Sequence, residues 1–269
     1  MKKIVLAMMA FATLNMFAAD INLWKNSTLN KIIQRGELQV CLEPGYMPFE
    51  MKDKKGRIIG YDVDMAKKMA KEMGVKLKLL PTAWDGIIAA LVTEKCDIIM
   101  SGMTISQQRN LKINFADPYV VVGQTVMMKK GLSAKSAKEL DKPEYTIVTK
   151  LGVSGEVATR KFFKKAKIVT FETEADAASE VLNGKADAFV YDQPYNILFM
   201  SDKGKGKLVH LDEPLTYEPL GWGIRKGDPD FLNWLNNFLR QVKEDKVVGF
   251  YDNLNEKWLK DTAWLKRVQ

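Results

Sequence analysis

The sequence predicts an α/β protein of two lobes, each a mostly parallel sheet flanked by helices. Three observations predict it. Strand-like and helix-like patterns alternate as βαβαβ, the unit of an open parallel sheet. The series stops and restarts further along the chain. The 269 residues, at about 150 per domain, suffice for roughly two cores. With 46% apolar and 28% charged residues, the composition is globular, which excludes collagen-like, coiled-coil and disordered chains.

The chain opens with Lys2 and Lys3, an apolar run over residues 4–17, then Ala18, Ala19 and Asp20. A basic head, an apolar stretch of this length and small residues before a polar break describe a secretory signal peptide over 1–19. The run is too short, and too interrupted by Thr13 and Asn15, to span a membrane. No later segment reaches 18 consecutive apolar residues, so a soluble exported chain beginning near Asp20 is expected.

Residues 38–42 read as a strand. Residues 61–73 read as a helix, because Val63, Ala66, Met69, Ala70 and Met73 recur on one face and Gly74 stops it. Strand 76–80 ends at Pro81, a short helix covers 86–91, and 97–100 is a strand again. After Lys129 the series restarts with strand 145–149, helix 156–163, strand 168–171, helix 174–182 and strand 187–191. Amphipathic helices at 231–243 and 247–259 close the chain. The lobes are therefore 20–120 with 222–269, and 121–221. The two crossings, near 119–123 and 218–222, are the expected hinges.

The formal charge of +8 is spread in short lysine groups with acids nearby, not concentrated and interleaved with aromatics, so no nucleic-acid partner is expected. One His and two Cys leave almost nothing for a zinc site or a His-based nucleophile, and no metal or cofactor is expected. In an oxidising compartment Cys41 and Cys96 are free to pair. Counted along parallel strands, however, they fall roughly 10 Å or more apart, beyond disulfide reach, so both are read as unpaired core residues.

Aligning Asp97 with Asp187 sets 90–102 against 180–192, a weak internal echo that places Gly102 and Asp192 at equivalent carboxyl strand ends. Open α/β sheets bind ligands there. Near the first end, Ser101 and Gly102 expose backbone groups, Thr104 adds a hydroxyl, and Arg109 suits a bidentate grip on a carboxylate. In the second lobe Ser154 stands where a strand passes into a helix, whose first amides favour an anion. Asp192 can accept from an ammonium.

The stretches Tyr46-Met-Pro-Phe49, Gly60-Tyr-Asp-Val-Asp-Met65, Trp84-Asp-Gly-Ile-Ile88, Asp97-Ile-Ile-Met-Ser-Gly-Met-Thr-Ile-Ser106 with Arg109, and Phe115-Ala-Asp-Pro-Tyr119 occur in this order. The series resembles the periplasmic polar amino-acid-binding proteins of ABC transporters, bacterial extracellular solute-binding family 3, over about residues 29–258. The resemblance implies a periplasmic-binding-protein fold, a clamp closing on one free amino acid, and an inner-membrane permease as partner. On matching positions, Arg109 would hold the α-carboxylate, with Thr104, the backbone near Ser101 and Gly102, and Ser154. Asp192 would take the α-ammonium, Trp84 and Tyr46 would sandwich the side chain, and Glu43 would meet a distal cation. Gly152-Val153 departs from the Gly-Thr that many relatives carry, and Lys150 falls on a variable specificity position.

Other readings compete. Tyr46 and Trp84 could be core aromatics, and Glu43 a solvated strand-end residue. Asp62 and Asp85 read as helix N-caps, and His210 as a loop residue without a role. The expected protein is a monomeric, periplasmic binder of lysine or arginine, with glutamine as the competing ligand. A cyclohexadienyl dehydratase-like enzyme on the same scaffold is the rival class. Its prephenate-like substrate carries no ammonium and would set Asp192 against a dianion.

Overall fold

Helix α1 (Thr28–Arg35) opens the described part of the chain, residues 27–268 of the computed structural model, with the Ser27 hydroxyl accepting from the Asn30 amide. The segment expected to be a signal peptide lies outside the described residues. Strand β1 (Glu37–Leu42), the hairpin β2 (Met51–Lys52) and β3 (Ile58–Ile59), helix α2 (Tyr61–Glu72) and strand β4 (Lys76–Pro81) follow. A 3-10 turn at Trp84–Gly86 leads into α3 (Ile87–Val92), β5 (Ile98–Ile99), α4 (Gln107–Asn110), β6 (Asn114–Phe115) and β7 (Val120–Val122).

The second series runs β8 (Gln124–Lys129), β9 (Thr146–Lys150), α5 (Ser154–Phe162), β10 (Lys167–Phe171), α6 (Glu174–Leu182), β11 (Ala188–Asp192), α7 (Gln193–Asp202) and β12 (Leu208–Leu211). Strands β13 (Glu218–Leu220) and β14 (Gly223–Ile224) then lead to α8 (Pro229–Glu244) and α9 (Phe250–Asn255). Pro229 fits the first turn of α8, and the Asp228 carboxylate caps it through the Phe231 amide.

The strands form two five-stranded sheets, ordered β4-β1-β5-β14-β6 and β10-β9-β11-β8-β12. In each, three strands pair in parallel, and the fourth is antiparallel to both of its neighbours. Four strands of each sheet therefore run one way and one runs against them. The reversed strands, β14 and β8, are those that enter each sheet directly after the chain has come from the other. At that crossing β7 pairs antiparallel with β13, Val120 opposite Leu220 and Val122 opposite Glu218. Strand β11 is buried at every residue, which its unbroken run Ala188-Phe-Val-Tyr191 anticipates. Burying each Leu, Ile, Val or Phe of these strands stabilises by about 1.5–3 kcal/mol.

The internal echo has a physical cause. Asp97 accepts from the Gln39 amide at 2.8 Å, and Asp187 accepts from the Thr146 amide at 2.7 Å. Each aspartate thus ties the turn before a central strand to the neighbouring parallel strand, and each also meets a cation, Arg35 or Lys129.

Four expectations need correction. Cys41 and Cys96 form a disulfide, with Cα atoms 5.8 Å apart. Cys96 lies in the turn before β5, so counting residues along a straight strand overstated the gap. Asp62 is no N-cap: Gly60 holds that position, and Asp62 is a fully buried residue of the first turn of α2. Nor does Asp85 cap a helix, since Ala83 precedes the 3-10 turn that contains it. His210 lies in β12 rather than a loop, and its ring reaches Asp212 and the Thr125 hydroxyl, each at 2.8 Å. Among the described residues no helix is long and apolar enough to cross a membrane.

Candidate functional site

Both sheets deliver carboxyl strand ends to one cavity. Glu43 follows β1, Ser101 and Gly102 follow β5, and Lys150 and Asp192 end β9 and β11. All nine residues singled out from the sequence line it: Glu43, Tyr46, Trp84, Ser101, Gly102, Thr104, Arg109, Ser154 and Asp192. Glu50, Gln124, Lys150, Val153 and Tyr191 complete the wall. The walls approach so closely that about 20 Å³ remains between them, little more than one water needs.

Contacts across the cavity explain the closeness. The Tyr46 hydroxyl donates to Asp192. Trp84 Nε1 donates to the Gly152 carbonyl at 3.0 Å, and the hydroxyls of Thr104 and Ser154 are 3.1 Å apart. Lys150 donates to Glu43. Each contact joins a residue placed by the first sheet to one placed by the second.

Opposite charges occupy the centre. Asp192 accepts from Gln124 Nε2 at 2.6 Å as well as from Tyr46. Burial pushes its carboxyl up to about 7, against the pull of the Tyr46 hydroxyl and the Arg109 charge. Arg109 closes the short helix α4, whose Ser106 N-cap accepts from its amide. Its guanidinium donates to the Thr104 carbonyl at 2.9 Å and lies 5.2 Å over the Trp84 ring. Burial lowers its pKa, and the nearby Glu218 and Asp192 charges oppose that. Such a guanidinium remains a cation.

The other end of Trp84 faces Lys150, whose ammonium is 5.9 Å from the ring. Lys150 is buried between Glu43 and Glu174, the latter at 2.9 Å. Burial works against its charge, but Glu174 and Glu43 overcome it and raise its pKa. Two carboxylates and one ammonium leave this end with one net negative charge.

Sequence reading did not place Glu174, Glu50 or Gln124 in the site. Gln124 begins β8, a strand without alternation to mark it. Glu174 follows its Thr173 cap as an ordinary first-turn acid, although it is only 3% exposed. Burial was the missing signal for Glu174; for Glu50 the only clue was its place directly after the Tyr46–Phe49 motif.

Two opposed α/β sheets, joined by paired crossings and closing on a charged cleft, define a two-lobed periplasmic binding protein. The chain belongs to the bacterial extracellular solute-binding proteins, family 3, whose model matches residues 38–261. It is 30% identical to the L-cystine-binding protein TcyJ of Escherichia coli (strain K12) over 230 residues, covering 86% of this chain and 85% of that one. A crystal structure from Wolinella succinogenes DSM 1740, a putative binding component of an ABC transporter complexed with lysine, is 66% identical with a TM-score of 0.84, over 86% of this chain and 99% of that one. The ancestral amino acid-binding protein AncCDT-1, a precursor of cyclohexadienyl dehydratase, is 48% identical with a TM-score of 0.80, over 87% of this chain and all of the other.

Proposed function

We propose that this protein is the substrate-binding component of an ABC amino-acid importer and that its ligand is a cationic amino acid, lysine before arginine. One observation carries the reading: a cavity between two sheets presents Arg109 and Asp192 as opposite poles, with a third, negative group beside them. A free amino acid has a carboxylate for Arg109 and an ammonium for Asp192. A lysine or arginine head then balances the charge that Glu43 and Glu174 leave over. The lysine complex of the 66% identical relative supports the same choice.

In this reading residues 1–19 direct export to the periplasm, and 20–120 with 222–269 close against 121–221 about β7 and β13. Ligand contacts exist on both sides only when the lobes are shut, so the ligand favours closure, and an inner-membrane permease receives the closed monomer. No chemistry is performed. A prephenate-like dianion would meet Asp192, Glu43 and Glu174, so no turnover of prephenate is expected by ultraviolet absorbance.

Calorimetry with lysine, arginine, glutamine and glutamate tests the ligand assignment. Lysine should bind tightest and glutamate weakest; glutamine ahead of both cations would defeat the cationic reading and leave the amino-acid clamp standing.

A further inference from the structure

At the cavity floor two carboxyl groups meet, and among the described residues neither forms an ion pair. Glu50 and Asp62 are both 0% exposed. Glu50 Oε1 accepts from the Ser101 hydroxyl at 2.7 Å. Asp62 Oδ2 accepts from the Gly102 amide at 2.8 Å and from the Tyr119 hydroxyl at 2.9 Å. Their other oxygens, Glu50 Oε2 and Asp62 Oδ1, are buried with no donor among the described residues, and the two side chains are neighbours: the Asp62 amide donates to the Phe49 carbonyl at 2.9 Å, and the carboxyls hold the consecutive residues Ser101 and Gly102. Buried polar atoms are rarely left unpaired.

We propose that Glu50 and Asp62 share a single proton, as a buried acid–carboxylate pair that positions Ser101 and Gly102 in the floor of the cleft. A proton on Glu50 Oε2, donated to Asp62 Oδ1, satisfies both orphan atoms at once. The surrounding donors fix its place. The Glu43 amide donates to the Ser101 oxygen at 3.0 Å, which leaves the Ser101 hydroxyl proton for Glu50 Oε1. The Gly102 amide can only donate, so Asp62 Oδ2 carries no proton towards it. Two full charges here would be desolvated and would repel each other. The charges facing the pair, Glu43 and Glu174, are acids as well. Tyr119, which donates to Asp62, and Tyr61 and Trp222, which stack on Tyr119, pack around the pair as neutral groups. Burial, with Asp62's charge adding to it, lifts the Glu50 carboxyl well above the usual range.

One shared proton makes a prediction that packing alone does not. An amide at either position supplies the single donor the pair needs, and the net charge stays at one negative. Amides at both positions remove that charge and leave their N–H donors opposed. Glu50→Gln and Asp62→Asn should each melt within about 3 °C of the parent, whereas the double variant should melt lower than the two single effects together predict. Infrared difference spectra at neutral pH, parent minus each single variant, should show the C=O stretch of a protonated carboxylic acid lost in both. Both measurements use ligand-free protein and stand without the amino-acid reading. Absence of that band, failure of either single variant to fold, or additive effects in the double variant would overturn the shared proton.

Discussion

The ring of Tyr46 covers Gly102 so closely that a Cβ on that glycine would come within 2.2 Å of Tyr46 Cε1. Gly102 also holds φ at +53°, where a side chain is strained. Its amide is anchored on Asp62, while the Tyr46 hydroxyl reaches Asp192. One residue's lack of a side chain therefore lets an aromatic wall of the first lobe touch the charged pole of the second. Gly102→Ala should displace Tyr46 and weaken lysine binding by at least about thirtyfold, an effect of about 2 kcal/mol typical of overpacking. Calorimetry on protein with an unchanged far-ultraviolet spectrum checks it; a loss under threefold would mean the Tyr46 contact is dispensable.

Among the described residues no carboxylate lies within hydrogen-bonding range of Arg109; its guanidinium donates to the Thr104 carbonyl and lies 5.2 Å over the Trp84 ring. Removing it should cost the ligand's α-carboxylate its charge-assisted partner, about 3–5 kcal/mol in a closed cleft. Arg109→Ala should bind lysine at least a hundredfold more weakly, about 2.7 kcal/mol by the usual conversion, with little change in melting temperature. A folded variant that loses less than fivefold would reject the carboxylate assignment.

The Cys41–Cys96 bridge closes a loop of 55 residues around the small cluster of Ile87, Leu91, Ile99 and Met103. Chain-entropy arguments give it about 4 kcal/mol, towards the upper end of the usual range. The double Cys→Ser variant should melt roughly 5–15 °C lower and still bind lysine within about threefold, because neither sulfur lines the cavity. Equal melting curves with and without reductant would show that the bridge does not constrain the fold.

In the proposed site Asp192 should tie binding to pH. Its carboxyl rises from an unfolded value of 3.8 to about 7. The folded, ligand-free protein therefore binds this proton more tightly than the unfolded chain does. The resulting stability is complete below about pH 4 and is lost as pH rises through 7. Lysine's α-ammonium favours the ionised carboxylate, so binding near pH 6 should release a proton and affinity should climb between pH 5 and 7.5. Calorimetry in two buffers of different ionisation enthalpy would show the release, and Asp192→Asn should abolish it. Equal proton release in that variant would assign the effect elsewhere.

The sequence displays what repeats and conceals what closes. Helix α2, strand β1 and strand β11 carry their periodicity or apolar runs in the chain itself, and helix α6 lies where its pattern put it. The reversed strands β8 and β14 have no such mark, because tertiary pairing rather than alternation makes them strands. Asp62 and Asp85 looked like caps because acids near helix starts usually are. Burial and the bond to Gly102 give Asp62 another task. The nine cavity residues were found through motif order and strand-end logic, all of them near segments with a recognisable pattern. Glu174 was hidden because its partner Lys150 is close only once β9 and α6 are packed. The disulfide was hidden because its distance depends on a turn rather than a strand.

The distal charges allow specificity to be tested by counting. Glu43, Glu174 and Lys150 leave one negative charge beside Trp84, and Glu174 Oε1 reaches across to Gly45, 2.7 Å from where a Cβ on that residue would sit. Glu174→Gln brings the count to zero. Lysine and arginine should then weaken by at least about tenfold, since opposite charges about 4 Å apart in a partly desolvated site are worth more than 1.4 kcal/mol, and glutamine should gain rank. Lys150→Met brings the count to minus two. Cations should bind more tightly, while the ligand-free protein melts lower because buried Glu174 and half-buried Glu43 lose their counterion. The double variant Glu174→Gln, Lys150→Met restores minus one through Glu43 alone and should recover the ranking of cations over glutamine proposed for the parent. Competition calorimetry on the three variants reads the ranking directly. If the double variant prefers glutamine, or if Glu174→Gln leaves lysine binding unaltered, the net charge of this end is not what selects the ligand.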